Sequence, residues 1–283
     1  MDAVLIQRTL AELCAYDNHQ PSDRVGNDGL LKCGKCGAAK ERQWMLGKIA
    51  VMCDCEREAE ERRENERRQQ ELCVRIEKMR RDGMADRAYC KWTFALDDGQ
   101  APDVSCTCKK FAENWEQMQD NNVGLLLYGG IGTGKTFFAA CIANCLLDKG
   151  IPVLMTNFPR ILNRIQSTGL GQGQNETIDA LARYALVVLD DLGVERGTDY
   201  AAEQIFAVVD ARYRSGKPLI VTTNLAPSDF KNPDNVRLER VYDRILENCI
   251  PVKVAGSSRR SAIAQDKRAK YAGLLGLTNH SRK

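Results

Sequence analysis

A chain of 283 residues with 43% hydrophobic residues has material for one good-sized domain and a smaller one. A formal net charge of +3 gives no global field to attract nucleic acid, so any such contact has to come from local patches. No apolar run approaches the length of a membrane span, and residues 1–16 are an amphipathic pattern carrying Asp2, Arg8 and Glu12 instead of a secretion signal. A cytoplasmic chain is expected, and in a reducing compartment the twelve cysteines read as metal ligands or packing residues before disulfides.

Residues 1–55 form the first expected module. A short helical pattern (Val4, Leu5, Leu10, Leu13) leads into a polar loop, and then come Cys33-Gly-Lys-Cys36 and Cys53-Asp-Cys55, sixteen residues apart. The four thiolates of Cys33, Cys36, Cys53 and Cys55 are enough for a closed tetrahedral zinc site; free buried thiols and a redox pair are the alternatives. The stretch Gln43–Met52 reads as a hairpin turning at Gly47-Lys48, too small for a core of its own, so a metal staple makes physical sense. Cys106-Thr-Cys108 is a weaker second pair without a partner pair, and Cys73, Cys90, Cys141, Cys145 and Cys249 read as packing residues.

Residues 56–86 form the next expected segment, dominated over 56–82 by acids and bases in near-equal number. Glu58–Arg62, Glu64–Arg68, Glu71–Arg75 and Glu77–Arg81 stand four apart with the acid first, the favourable order on a helix. This predicts a helical linker, either a solvated spacer or a partner face.

From residue 87 the pattern becomes globular. Val123–Tyr128, Pro152–Thr156, Leu186–Leu189, Leu219–Thr223 and Ile250–Val254 are short, apolar, β-branched runs separated by helical patterns. That alternation predicts an α/β domain with a parallel five-stranded sheet covered by helices, spanning 87–260, before a basic tail at 261–283. Gly129-Gly130-Ile131-Gly132-Thr133-Gly134-Lys135-Thr136 follows the first strand and opens a helix. Its glycines let backbone N–H groups face phosphate oxygens, Lys135 can reach the β- and γ-phosphates, and Thr136 can bind Mg²⁺. Asp190 and Asp191 end an apolar strand, where the first holds the Mg²⁺ shell and the second polarises water. Asp191 is one methylene shorter than the usual Glu, which points to slow hydrolysis. Asn224 ends another strand, facing the γ-phosphate or the water, or else capping a helix. Arg240 and Arg244 share a helical face, as either a salt-bridged surface or an arginine finger for a neighbouring subunit, and Arg259 and Arg260 follow the last strand.

Taken in order, these elements resemble the AAA+ ATPases of the initiator clade, and more narrowly the DnaC/DnaI-type replicative helicase loaders and the related IstB ATPases. The markers are Trp92-Thr-Phe94, Gly129–Thr136, Leu189-Asp-Asp-Leu-Gly193, Asp210-Ala-Arg-Tyr213, Thr223-Asn-Leu225, Glu239–Arg244 and Gly256-Ser-Ser-Arg259, within roughly 60% of the chain. The resemblance implies ATP, Mg²⁺ and Zn²⁺ as cofactors. It also implies a hexameric DnaB-type helicase as partner, single-stranded DNA as ligand and an ATP-dependent oligomer used as a switch. It makes Arg244 the first choice for the finger, with Arg240 beside it, and Arg259 the second sensor, with Arg260 as rival. The cysteine cluster resembles the N-terminal module of DnaI-like and phage loaders, which IstB proteins generally lack. Asn157–Arg164 falls where initiator-type ATPases carry an extra helix, so Phe158 is expected to stack on a base and Arg160 and Arg164 to pair with phosphates. The alternative there is a helix with Phe158 and Ile161 in the core. Two other readings stay open: an IstB-type transposition-targeting ATPase, and a zinc-dependent adaptor whose ATPase domain holds nucleotide without hydrolysis.

Overall fold

The computed structural model describes residues 19–45, 47–168, 172–193, 199–230, 236–272 and 274–275. The helical pattern at 1–16 and the end of the basic tail lie outside the described residues. The chain divides into two compact units, Met1–Cys73 and Val74–Lys283.

In the first unit, strand β1 (Arg24–Val25) pairs antiparallel with β2 (Leu31–Lys32), and β3 (Glu41–Trp44) with β4 (Gly47–Ala50). Trp44 stands opposite Gly47, so the chain reversal precedes Gly47 instead of falling on Gly47-Lys48. Gly47, at φ 141°, closes the hairpin in a backbone conformation that other residues rarely adopt. Strands this short cannot assemble an apolar core. The buried side chains here include two cysteines, Cys33 and Cys53, together with Leu31 and a lysine, Lys40.

Helix α1 runs over Asp54–Gly83, with Asp54 and Glu56 in its first turn and Arg80 and Arg81 in its last, matching the helix dipole. Glu64 pairs with Arg67 and Arg68, and Glu77 with Arg80. Leu72, Cys73 and Val74 are exposed on it, so Cys73 is not the packing residue that its type suggests.

The second unit is built on a parallel sheet. Its strands are β5 (Gly124–Tyr128), β6 (Val153–Asn157), β7 (Leu186–Leu192), β8 (Leu219–Thr223) and β9 (Cys249–Lys253), in the order β6-β7-β8-β5-β9. Between and around them lie α2 (Pro102–Glu113), α3 (Trp115–Asp120), α4 (Lys135–Asp148), α5 (Phe158–Thr168), α6 (Gln172–Arg183), α7 (Asp199–Arg214), α8 (Val236–Asn248) and α9 (Arg259–Ala272). The basic tail thus begins as a helix. The strands are apolar almost throughout because both faces are covered. One face packs Phe111, Trp115, Phe138, Ile142 and Leu146; the other packs Ile165, Val208, Val241 and Ile245. Alongside β6, Met84 forms a parallel bridge to Met155, and the Ala85 N–H donates to the Met155 carbonyl at 2.9 Å.

Phe158 belongs to the second cluster at 1% exposure, so the base-stacking role expected of it is corrected. Phe158, Ile161 and Ile165 recur at helical spacing and turn α5's apolar face inward. Arg160 and Arg164 are exposed on that helix, with the Arg160 guanidinium donating to the Ala85 carbonyl. Cys106 is exposed while Cys108 is buried in the core, so they form no half-site; burial pushes the Cys108 thiol up to about 12. Among the described residues no helix is long and apolar enough to cross a membrane.

Candidate functional site

The chain leaves β5 at Tyr128 and enters α4 at Lys135 through a loop of backbone turns that only glycine takes without strain: Gly129, Gly132 and Gly134 have φ of 147°, 79° and 108°. A side chain at Gly129 would also strike the Val254 carbonyl, 2.3 Å from an ideal Cβ. The Lys135 ammonium is buried in the loop it follows. It donates to the carbonyls of Gly129 (3.0 Å) and Gly130 (2.8 Å) and to Oδ1 of Asn224 (2.8 Å), at the end of β8. Burial holds its pKa below the ordinary lysine value, against the opposing pull of Asp191 and Asp190. Thr133 Oγ1 donates to the Gly130 carbonyl at 3.0 Å, closing the loop on itself.

Asp190 ends the buried run of β7. Thr222 donates to its Oδ1 at 2.6 Å and Tyr89 to its Oδ2 at 3.4 Å. Burial raises the Asp190 pKa above the usual carboxylate value, while the nearby Thr136 hydroxyl draws it down. A hydroxyl and a carboxylate near one another beside the glycine loop supply the hard oxygen donors that Mg²⁺ takes, so the residues present fit that ion. Asp191 adopts φ 64°, a left-handed conformation uncommon outside glycine, at an irregularity in the β7–β8 register. Its N–H donates to Thr222 Oγ1 at 2.9 Å. The kink turns consecutive carboxylates apart: Asp190 stays buried and Asp191 is exposed on the wall of a cavity of about 510 Å³.

That cavity brings together Gly132, Gly134, Lys135, Thr136, Asp191, Asn224, Arg259 and Arg260, with Trp92, Leu96 and Ile263 as apolar surface. It is large enough for a small-molecule ligand. Arg259 lies over the rings of Phe137 and Phe138, 5.8 and 5.4 Å from their centroids, and pairs with Asp98 at 3.1 Å. Its N–H donates to the Gly132 carbonyl at 2.9 Å. Both Arg259 and Arg260 reach the cavity, so position alone does not separate them. Trp92 was legible only as a marker, and Leu96, Ile263 and Tyr89 carried no local signal, because their partners are distant in sequence.

Arg240 and Arg244 stand on α8, outside this cavity. Arg240 is exposed. Arg244 is ion-paired to Asp210 at 2.5 Å and lies 4.8 Å and 5.3 Å from the ring centroids of Phe206 and Tyr213. Arg212, in the same marker as Asp210, is a fold residue: its buried guanidinium donates to the carbonyls of Leu181, Tyr184, Ala185 and Pro218.

A second candidate site lies in the first unit. The sulfur atoms of Cys33, Cys36, Cys53 and Cys55 all lie within 4.8 Å of one another, with Cys33–Cys55 at 3.4 Å and Cys53–Cys55 at 3.2 Å. Sulfurs around tetrahedral zinc stand roughly 3.8 Å apart, given Zn–S bonds of about 2.3 Å. Four soft thiols at this spacing fit that ion. The N–H groups of Cys36 and Lys35 hold the Cys33 thiol below its ordinary pKa, whereas burial raises Cys53 and the neighbouring Cys53 and Cys33 thiols raise Cys55.

The sequence profile of the family described as IstB-like ATP binding protein matches residues 54–268. Over 147 residues the chain is 27% identical to the replicative helicase loader DnaI of Bacillus subtilis, covering 48% of this chain and 47% of that one. Over 156 residues it is 30% identical to the replicative helicase loader DnaC of Escherichia coli K12, covering 54% and 62%. A putative ATP-binding protein in an insertion sequence of Mycobacterium tuberculosis is 25% identical over 143 residues, covering 50% and 57%. The matches therefore span about half the length of these relatives. The crystal structure of the DnaC helicase loader shares the fold, with a TM-score of 0.52 at 23% identity over 60% of this chain and all of that one. That of DnaI has a TM-score of 0.50 at 23% identity over 62% and 95%.

Proposed function

We propose, from the premise that this chain belongs to the family of IstB-like ATP binding proteins, that it is a loader of a hexameric replicative helicase onto single-stranded DNA. In this reading ATP binding and slow hydrolysis act as a switch. The observation that carries the nucleotide part is the convergence of Lys135, Thr136, Asp191 and Asn224 on one cavity, with Lys135 hydrogen-bonded to Asn224 across it and the buried Asp190 next to Asp191 in the chain. The loader part is supported by the cysteine cluster ahead of the ATPase unit and by relatives that are themselves helicase loaders. The insertion-sequence relative favours the second reading, a transposition-targeting ATPase. Capture of purified hexameric replicative helicase by the full chain separates the two; failure to bind any such helicase with and without ATP rejects the loader.

Each residue then has a task. The loop N–H groups and Lys135 hold the phosphates of ATP. Thr136 and Asp190 would hold Mg²⁺, which when bound neutralises charge on the β- and γ-phosphates. Asp191 accepts the proton of the attacking water, and Asn224 and Arg259 meet the γ-phosphate end. Arg160 and Arg164 meet DNA phosphates as exposed cations on α5.

Asp191→Asn should bind ATP with unchanged affinity and lose hydrolysis by about 100-fold or more, the usual contribution of a positioned general base. Asparagine tolerates the left-handed backbone, so the fold is kept. Turnover at the wild-type rate would remove Asp191 from the mechanism.

Arg244 is proposed as the finger supplied to a neighbouring subunit, with Asp210 orienting its guanidinium. Arg244→Ala should bind ATP well and hydrolyse poorly. Mixing it with Lys135→Ala should recover part of the activity, because some interfaces then combine an intact pocket with an intact finger. Titrating the two at fixed total protein and following ATP turnover is the check. A flat response at every ratio would make Arg244 a fold residue.

A further inference from the structure

Lys40 lies at the centre of the cysteine module and has no exposed surface. A fully buried lysine is rare unless it is paired, and this one meets two carboxylates. Its ammonium meets Asp23 Oδ2 at 2.8 Å and Glu56 Oε1 at 2.7 Å. The far oxygen of each carboxylate accepts a backbone N–H from one cysteine pair: Asp23 Oδ1 from Gly34 at 3.1 Å, and Glu56 Oε2 from Cys53 at 3.3 Å. The lysine backbone repeats the pattern. Its N–H donates to the Leu31 carbonyl at 2.7 Å and its carbonyl accepts from Val51 at 2.8 Å. Leu31 stands two residues before Cys33, and Val51 two residues before Cys53. The approach at the first pair is close: a Cβ on Gly34 would lie 1.9 Å from the Ser22 carbonyl oxygen, so the loop carrying Asp23 sits directly on the Cys33–Cys36 turn.

We propose that Lys40 is the positioning residue of the metal centre, a crossbar that fixes the separation of the Cys33–Cys36 and Cys53–Cys55 pairs; this rests on reading the cysteines as a zinc site. The two half-sites come from different segments, so contacts that fix their separation act on the metal from outside its ligands, and outer contacts of this kind tune metal affinity by about 10–100-fold. Charge makes the lysine more than a spacer. Four thiolates around Zn²⁺ carry a net double negative charge, and Asp23 and Glu56 add two more close by. Lys40 is the cation that both carboxylates share.

Lys40→Met cuts the side-chain arms and leaves both backbone arms. The full-length variant should still form the cobalt-substituted site, with its thiolate charge-transfer bands, yet lose zinc to a chromogenic chelator about 10–100-fold faster than wild type. The double variant Asp23→Asn, Lys40→Met removes one of the two carboxylates that the single change strands, so its release rate should move part of the way back toward wild type. A packing role makes the opposite prediction, because the double variant loses more contacts. If Lys40→Met does not assemble, Glu56→Gln alone, which keeps the Asp23–Lys40 pair, should still show faster release with normal cobalt bands. Release within two-fold of wild type in both Lys40→Met and Glu56→Gln would overturn the role of Lys40 while leaving the zinc site standing. A double variant that releases zinc faster than Lys40→Met would also overturn it, in favour of packing. Wild-type protein without cobalt thiolate bands would overturn the zinc site, and the crossbar with it.

Discussion

Lys135→Ala should lose ATP affinity by at least about 100-fold, roughly 2.7 kcal/mol. A lysine–phosphate contact is a charge-assisted hydrogen bond, of about 1.5–3 kcal/mol each, and Lys135 is placed to make more than one. Its ammonium already lies inside the loop, within 3.0 Å of the Gly129 and Gly130 carbonyls and Asn224. Alanine leaves those acceptors and the glycine-determined backbone in place, so the fold and the metal content should not change. Nucleotide affinity by calorimetry, with zinc measured on the same sample, gives the answer. Unchanged affinity would mean that the loop does not bind phosphate.

The second large effect is expected at the other site. Cys53→Ser, Cys55→Ser should abolish zinc binding and unfold the first unit. Apparent binding energies of about 10–16 kcal/mol for structural zinc in small finger peptides far exceed what strands of two to four residues can offer. Metal content should fall from about one zinc per chain to none, and limited proteolysis should cut within residues 19–53. ATP affinity should survive, the mirror image of the lysine variant. Zinc retained by the double variant would place the ligands elsewhere. Cys108, buried in the core of the second unit, is a poor substitute.

What the sequence made legible follows chemical constraint. The phosphate loop could be read because close backbone approach to phosphate fixes glycine spacing, and the Asp190 strand because an apolar run ending in acids takes on meaning once that loop stands upstream. Strand positions were correct to within about three residues, since sheet burial writes itself as apolar runs. For Phe158 the sequence leaves base stacking and core packing both open, and the structure takes the second: Phe158, Ile161 and Ile165 share a helical face, and that face is core. The positions that escaped are those whose meaning is set across the chain. Tyr89 meets Asp190 from 101 residues away, and Lys40 joins Asp23 to Glu56. No window of sequence shows a side chain's partner at that distance. Asp191 was read as a shorter substitute for glutamate, while its left-handed backbone, which aims it, came only with the structure.

The bridge from Met84 to Met155 bears on how the ATPase part can be isolated. The strand holding Met155 is the outermost of its sheet on that side. Residues 84 and 85 occupy part of the row of main-chain donors and acceptors that such a strand offers to any extended peptide. A fragment begun at residue 87, where the globular pattern starts, discards that cover. It presents a sticky margin through which copies can add to one another whatever nucleotide is present. Self-association of such a fragment would say nothing about the ATP-dependent assembly proposed above. Fragments meant to report on assembly have to retain the end of the charged helix, beginning no later than Val74.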